Sequence, residues 1–249
     1  MDKDKALQKI ANTLYITTQC VPSIGLMTGK MGIAIFLYQY SRISSNIDYN
    51  DLADSLLDTI YPRLYKNTPK FFSEGIAGIG WGLNYLMREK YVEADDNILE
   101  EVDDVIRKTD KKDFIVELNE ELPMFSKGIY LLARKMKEDL PSCVCELESF
   151  LSSVELDNLP YEYTQSVKYF LSRMETEGIE EDRCKALSSK LPIIEGKDAY
   201  WNQLIYENNV GLYNDSTAIY GQINNLVTNI RYSSLGLHNG LAGLGIVLL

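Results

Sequence analysis

The sequence predicts an all-α protein arranged as a ring or partial ring of helical hairpins, and three observations lead to this prediction. Several segments are apolar on nearly every side, which is typical of helices that are buried all round. Amphipathic segments with a 3.6-residue period lie between them. The apolar segments also share a glycine pattern, and a pattern that recurs along a chain indicates repeated structural units.

Each of the apolar segments follows a glycine, and we predict that they form the inner helices of the ring. They read "IAIFLYQY" (33–40), "IAGIGWGLNYL" (76–86) and "LAGLGIVLL" (241–249). The amphipathic segments are predicted to form the outer helices. Their apolar stripes are Ala6, Leu7, Ile10, Ala11 and Leu14; Leu52, Ala53, Leu56, Leu57, Ile60 and Leu64; Ile98, Leu99, Val102, Val105 and Ile106; and Leu147, Phe150, Leu151 and Val154.

The repeats align on a G-x-x-G motif in "MTGKMGIAIFL", "SEGIAGIGWGL" and "HNGLAGLGIVL". The glycines of the three motifs are Gly29 and Gly32, Gly75 and Gly78, and Gly240 and Gly243. Two weaker copies are "FSKGIYLLARKM", with Gly128 at the first glycine position, and "YTQSVKYFLSRM", with Ser166 there. We predict a single domain over residues 1–249, in which residues 141–230 form either further hairpins or an irregular segment.

Glycine inside a helix costs about 1 kcal/mol relative to alanine, so glycines clustered at helix starts indicate a close approach to the backbone. That approach serves either helix packing or contact with a ligand. Under the second interpretation, free N–H groups at the helix starts form a floor for a polar or anionic ligand. The polar residues beside the glycines are then candidates for the binding mouth, and Ser73 and Asn239 are also expected to cap helices. The candidates are Thr28, Lys30, Ser73, Glu74, Ser126, Lys127, His238 and Asn239.

Composition narrows the class of partner. The formal net charge is −11, which argues against nucleic acid or an anionic membrane as the main partner and is compatible with a basic peptide. Four cysteines in 249 residues are too few for a disulfide scaffold. The first residues lack the apolar core of a signal peptide, and no apolar run reaches membrane-spanning length. We therefore expect a cytoplasmic protein, and the sequence does not define its oligomeric state.

The segments "GLMTGKMGIAIFLYQY", "FFSEGIAGIGWGLNYL" and "SLGLHNGLAGLGIVLL" resemble the inner helices of the lanthionine synthetase C-like family. The resemblance extends over roughly residues 20–140 and again over residues 231–249. Members of this family close thioether rings in ribosomally made peptides. The resemblance implies an α/α toroid of helical hairpins and a peptide or protein of a peptide-modification pathway as partner.

The family's zinc chemistry is where this sequence departs from the pattern. In the family, two cysteines and one histidine bind a zinc ion that activates the substrate thiol, and one cysteine belongs to a Cys-His-Gly run. Here that run would align with His238, Asn239 and Gly240, and asparagine is a poor zinc ligand. The four cysteines are Cys20, Cys143, Cys145 and Cys184. None of them stands just before a G-x-x-G turn. We therefore expect no zinc and no other cofactor.

The leading hypothesis is a degenerate, zinc-free and non-catalytic member of the family that acts as an accessory or peptide-binding protein. On this hypothesis the last repeat corresponds to the closing helix of a chain that is shorter than a full family ring. One alternative is an active cyclase whose zinc site combines His238 with cysteines from the middle of the chain. Another is a carbohydrate-active α/α toroid enzyme, which would need two carboxylates across a groove, with Glu74 and Asp215 as candidates.

Overall fold

The computed structural model describes residues 2–64, 68–193, 202–206 and 216–249. Within these ranges the chain is helical with no β-strand, so the predicted all-α class is confirmed. The helices are α1 (Lys3–Thr17), α2 (Lys30–Ser44), α3 (Ile47–Ile60), α4 (Ile76–Arg88), α5 (Glu100–Arg107), α6 (Lys111–Glu117), α7 (Ser126–Ala133), α8 (Leu140–Leu151), α9 (Tyr161–Thr176), α10 (Glu181–Lys190), α11 (Asn202–Tyr206), α12 (Ser216–Thr228) and α13 (Leu241–Leu248).

The helices group into two compact units. The terminal unit comprises the described parts of Met1–Thr68 and Lys197–Leu249, and the central unit comprises the described part of Pro69–Gly196. Both ends of the sequence therefore belong to the same unit, which also contains the first and the last of the glycine-headed helices.

In the terminal unit, α2 packs against α3 as a helical hairpin, and α1 and α13 also contact α2. The helix α2 is buried on every side along most of its length, as its apolar sequence predicts. By contrast, α1 buries the predicted stripe from Ala6 to Leu14 together with Thr13, and exposes the charged residues of its first turn. An apolar inner helix with amphipathic outer helices is therefore present in this unit.

The central unit repeats this arrangement. Helix α4 contacts α5, α7 contacts α8, and α9 contacts α10, while α4 and α9 each also contact α7. The predicted apolar stripes of α5 and α8 are largely buried. The part of residues 141–230 that is described is helical, and α9 and α10 form one of the hairpins that the sequence left open.

Aromatic residues form much of the core of the central unit. Five rings, those of Phe114, Phe125, Phe150, Tyr163 and Phe170, meet edge to face with centroid separations of 5.2 to 6.2 Å. Edge-to-face contacts of this kind add to the stabilisation that burial provides. These rings connect α6, α7, α8 and α9 into one core.

No helix in the described ranges is both long enough and apolar enough to cross a membrane.

Candidate functional site at the starts of the inner helices

The three glycine-headed helices start with nearly the same backbone conformation. Their N-cap residues are Gly29, Gly75 and Gly240, with φ angles of −110°, −116° and −118° and with ψ close to 180°. None of the three caps carries a side-chain hydrogen bond to the helix. The prediction that Ser73 and Asn239 cap these helices is therefore wrong, because the glycines occupy the N-cap positions.

These positions require glycine because there is no room for a side chain, and not because of their backbone conformation. Any residue can adopt an extended backbone. A Cβ on Gly75 would lie 2.3 Å from the carbonyl oxygen of Pro69 and 2.5 Å from that of Phe71. At Gly29 and at Gly240 the nearest backbone atom of the preceding loop would be 2.4 Å away. The close approach that the sequence indicated is thus made by the chain's own loop.

The same loops accept hydrogen bonds from the first turn of each helix. The N–H of Ile76 donates to the carbonyl of Pro69 at 2.7 Å, and the N–H of Ala77 donates to that of Lys70 at 3.3 Å. The corresponding donor and acceptor pairs of the other two helices are Lys30 to Ser23, Met31 to Gly25, Ala242 to Leu235 and Gly243 to Gly236. The expectation that these N–H groups are free for an anionic ligand is therefore wrong for six donors of the first turns.

The second glycines of the first and last motifs, Gly32 and Gly243, both lie against Leu237 in the loop before α13. A Cβ on Gly32 would lie 2.6 Å from the Leu237 side chain, and one on Gly243 would lie 2.1 Å from the Leu237 carbonyl oxygen. Beside this contact, the backbone N–H of His238 donates to the carbonyl of Met27 at 2.8 Å. The first and the last repeat are thus neighbours, and their pre-helical loops lie side by side.

The fourth repeat follows a different alignment from the predicted one. The N-cap of α7 is Phe125, and the N–H of Ile129 donates to its carbonyl, so Gly128 occupies the second glycine position. A Cβ on Gly128 would lie 2.3 Å from an atom of the Phe125 ring. Ser166 does not mark a helix start either, because α9 begins at Tyr161.

Half of the candidate mouth residues are buried. Lys30, Ser73, Ser126 and Lys127 are each no more than 5% exposed. The ammonium of Lys127 donates to the carbonyls of Thr109 and Arg107 at 2.8 and 3.2 Å and contacts Glu146 Oε2 at 2.5 Å. The ammonium of Lys127 is therefore bound by groups of the central unit itself.

Lys30 is enclosed in a different way. Its Nζ donates to the carbonyl of Thr18 at 3.3 Å. Burial, together with the nearby positive charge of Arg63, lowers the pKa of Lys30. This lysine therefore lies within the terminal unit rather than on its surface.

The remaining four candidates reach the surface. Thr28, Glu74 and His238 are partly exposed, and Asn239 is exposed. The amide of Asn239 lies 3.0 Å from His238 Nε2, and Asn239 has a φ of 51°, in the left-handed region that asparagine tolerates. The pairing of His238 with Met27 places Thr28 near these two residues in the terminal unit, while Glu74 holds the equivalent place before α4 in the central unit.

Glu117 is a chemically unusual residue that the sequence analysis did not single out. It is the last residue of α6 and is 2% exposed, and its Oε1 contacts both the hydroxyl and the N–H of Ser126. Burial raises the pKa of Glu117 to about 8, against hydrogen bonds from Ser126 that favour the charged form. A single glutamate at the end of a short helix with several charged residues carries no sequence signal that separates it from exposed glutamates.

The cysteines do not assemble into a metal site in the described ranges. Cys143 and Cys184 lie in the apolar core of the central unit, and burial raises the pKa of both thiols, that of Cys184 to about 11. Cys145 is exposed and accepts a hydrogen bond from Arg183 at 3.1 Å, and Cys20 is exposed in the terminal unit. No group of three histidine, cysteine, aspartate or glutamate residues suited to a metal ion occurs in that part of the chain.

The zinc site implied by the resemblance therefore lacks a fitting donor set among the described residues. The thiolates that zinc prefers are disfavoured at Cys143 and Cys184 because both thiols are buried in the apolar core. The carbohydrate hypothesis needs a second carboxylate besides Glu74, and its candidate Asp215 lies outside the described residues.

The architecture and the site together define a class: an all-α protein of helical hairpins with glycine-headed inner helices. Residues 22–134, a little under half of the chain, match the family model described as lanthionine synthetase C-like protein. This match supports the predicted resemblance to the family over that stretch, and the helical hairpins of the described residues are consistent with the predicted α/α toroid fold class. No curated protein matches the chain, and neither does any solved structure.

Proposed function

We propose that this chain is a non-catalytic member of the lanthionine synthetase C-like family that binds a peptide of a ribosomal peptide-modification pathway without zinc. The observation that carries the proposal is the donor set before α13. If the last repeat is aligned with the Cys-His-Gly run of the family, His238 and Asn239 take the places of the cysteine and the histidine, and the amide of Asn239 lies 3.0 Å from His238 Nε2. An asparagine amide contributes little to a zinc site, whereas it can both donate to and accept from a peptide backbone.

The binding surface of the proposal consists of Thr28, His238 and Asn239 in the terminal unit. These side chains reach the surface on two adjacent loops whose backbones are held by the first-turn hydrogen bonds of α2 and α13. A surface on such braced loops favours binding, because little order has to be imposed when the ligand arrives. The net charge of −11 favours peptides that carry lysine or arginine.

Elemental analysis of protein purified without a metal-affinity tag or chelator tests the zinc-free part. We expect far less than about one zinc per chain, before and after incubation with added zinc, because the described cysteines do not converge. A stoichiometry of about one zinc per chain would contradict the proposal and favour the active cyclase. His238→Ala and Cys145→Ser variants would then locate the ligands.

Binding to a panel of lysine-rich linear peptides and thioether-ring peptides tests the second part. The double variant His238→Ala with Asn239→Gly should weaken binding about tenfold, since it removes the polar side chains while glycine keeps the positive φ of residue 239. Asn229→Ala is the matched control, because Asn229 is an exposed asparagine of the same unit and lies away from these loops in sequence. Equal loss in both variants, or no binding by the wild type, would contradict the proposed surface.

A further inference from the structure

Glu117 lies at a junction of three segments of the central unit. Its Oε1 contacts the Ser126 hydroxyl and lies 3.3 Å from the Ser126 N–H, at the first residue of α7. The same hydroxyl accepts a hydrogen bond from the backbone N–H of Phe72 at 2.6 Å and lies 3.3 Å from the carbonyl oxygen of Met124. One buried carboxyl is therefore connected to the loops that precede α4 and α7.

The protonated carboxyl satisfies this network completely. Its O–H can donate to Ser126 Oγ, which also accepts from the Phe72 N–H, while the Ser126 hydroxyl hydrogen points to the carbonyl oxygen of Met124. A serine hydroxyl has two lone pairs and one hydrogen, so each is used once. Loss of the carboxyl proton leaves a carboxylate that needs the Ser126 hydrogen, and the Met124 carbonyl then loses its donor.

The surroundings of Glu117 disfavour the charged form. Asp113 on its own helix and Glu120 in the following turn are both acidic, and from α9 it faces the phenol of Tyr163, which is fully buried. The charge of Asp113 is itself paired with Lys70 at 3.1 Å. Of the hydrogen bonds made by Glu117 in the described ranges, both come from Ser126.

Lys127 does not supply the missing charge, although it follows Ser126 in α7. Its ammonium is directed to Glu146 on α8 and to the carbonyls of Arg107 and Thr109. A carboxylate that is buried without a cation is costly, so the carboxyl is retained in the protonated form at neutral pH.

We propose that Glu117 is a proton-dependent latch that, while protonated, holds the loops before α4 and α7 against the end of α6, and that loosens this junction when it ionises, because the Met124 carbonyl then loses its donor. On release the proton passes to solvent, the Ser126 hydroxyl turns to the carboxylate, and the buried charge draws water towards the junction. The loop before α4 carries Ser73 and Glu74, and the loop before α7 carries Met124 and Phe125, so the order of these two helix starts becomes dependent on pH. The latch does not depend on the proposed peptide ligand.

The test follows the amide resonances of Phe72 and Ser126 in the full-length protein by NMR from pH 6 to pH 9.5. In the wild type we expect both to shift with a common midpoint near pH 8, which is the pKa that burial gives to Glu117. Their hydrogen-exchange protection, corrected for the intrinsic rate, should fall at least tenfold on the alkaline side of that midpoint. Glu117→Gln should abolish both effects, because the amide donates to Ser126 but cannot ionise.

Glu121→Gln is the matched control, since Glu121 is an exposed carboxylate four residues away and its variant should keep the wild-type midpoint. Ser126→Ala provides a variant that leaves Glu117 in place: loss of the hydroxyl hydrogen bond, which favours the charged form, should move the midpoint of the residue 126 amide upward, while the backbone N–H bond remains. The latch is overturned if the wild-type amides show no midpoint in this range, if the midpoint persists in Glu117→Gln, or if Ser126→Ala leaves it unchanged.

Discussion

Gly75 illustrates at the residue scale how one missing side chain organises a helix start. The loop before α4 turns back so that the Pro69 and Lys70 carbonyls accept from the first two N–H groups of the helix. A Cβ at residue 75 would occupy the space of that loop. The glycine therefore allows the chain to satisfy its own helix start without a capping side chain.

Gly75→Ala should lower the free energy of unfolding by about 1–3 kcal/mol, because the new methyl group would lie 2.3 Å from the Pro69 oxygen and the loop would have to move. Chemical denaturation measures the change. Gly221→Ala is the control, since an added Cβ there meets nothing within 4 Å. The control should be neutral or more stable by up to about 1 kcal/mol because alanine favours the helix. Equal effects of the two substitutions would contradict a spatial role for Gly75.

The polar neighbours of the glycines show what residue identity alone cannot decide. Thr28 and Lys30 flank the same glycine in sequence, yet one is partly exposed and the other is 3% exposed. The direction of each side chain depends on how the loop turns over the helix start. Only the folded loop separates candidates for binding from residues that stabilise the interior.

At the element scale, α7 shows why the alignment of repeats from sequence was three residues off. The segment "SKGIYLL" contains one glycine, Gly128, which can be aligned with either the first or the second glycine of the motif. The carbonyl of Phe125 accepts from Ile129, as the carbonyl of a cap glycine does in the other repeats, and the Phe125 ring covers Gly128. A glycine pattern gives the spacing of a motif but not which of its positions is kept.

Charged residues also connect the helices of the central unit. Arg134, at the end of α7, donates to Asp103 of α5 at 2.9 and 3.0 Å, and the Tyr130 hydroxyl donates to the same carboxylate at 2.6 Å. Both charged side chains are less than 10% exposed. The hydrogen bond from Asp103 raises the pKa of the Arg134 guanidinium further, so the pair stays charged throughout the range of ordinary experiments.

Asp103→Asn should therefore lower the free energy of unfolding by about 2–3 kcal/mol. The substitution replaces the buried carboxylate that pairs with the Arg134 guanidinium by a neutral amide. Asp104→Asn is the control on the same helix, since Asp104 is 64% exposed and lies 3.5 Å from Arg107. Its effect should stay below about 1 kcal/mol. Urea denaturation measures the free energy of unfolding of both variants. Comparable losses in both would show that the contacts between Asp103 and Arg134 stabilise the protein no more than an exposed ion pair does.

At the scale of the whole molecule, the protonation of Glu117 should appear in global stability. Its pKa in the folded protein is about 8, compared with 4.5 for an ordinary glutamate. A raised pKa of an acid means that the folded state holds the proton more tightly than the unfolded chain does. The contribution of Glu117 is therefore fully present below pH 4.5 and is lost as the pH rises through 8.

We expect the free energy of unfolding to fall as the pH rises from 5 to 8. The ionisation of Glu117 should contribute up to about 1.4 kcal/mol per pH unit to this fall, which is the slope for the release of one proton. Denaturant titrations at several pH values measure the slope. Glu117→Gln should remove this contribution, whereas Glu121→Gln should keep it. A slope that is the same in the wild type and in Glu117→Gln would contradict the raised pKa. At acidic pH the opposite trend is expected from Asp96, because its hydrogen bond with Arg134 lowers its pKa.

The helical class, the inner and outer character of the helices and the resemblance to the family over residues 22–134 could be predicted from the sequence. These follow from periodicity and from a repeated motif, both of which are properties of neighbours along the chain. The anchors Gly29, Gly75 and Gly240 were placed correctly because a motif of two glycines before an apolar helix is local.

Tertiary structure alone decided which groups are available for chemistry. It enclosed Lys127 among the Arg107 and Thr109 carbonyls and Glu146, and it used the first N–H groups of the inner helices within the loops. It also buried Glu117 beside Ser126 and so changed the acidity of an ordinary glutamate. Burial and hydrogen bonding depend on residues that are distant in sequence and close in space, and no local pattern encodes them.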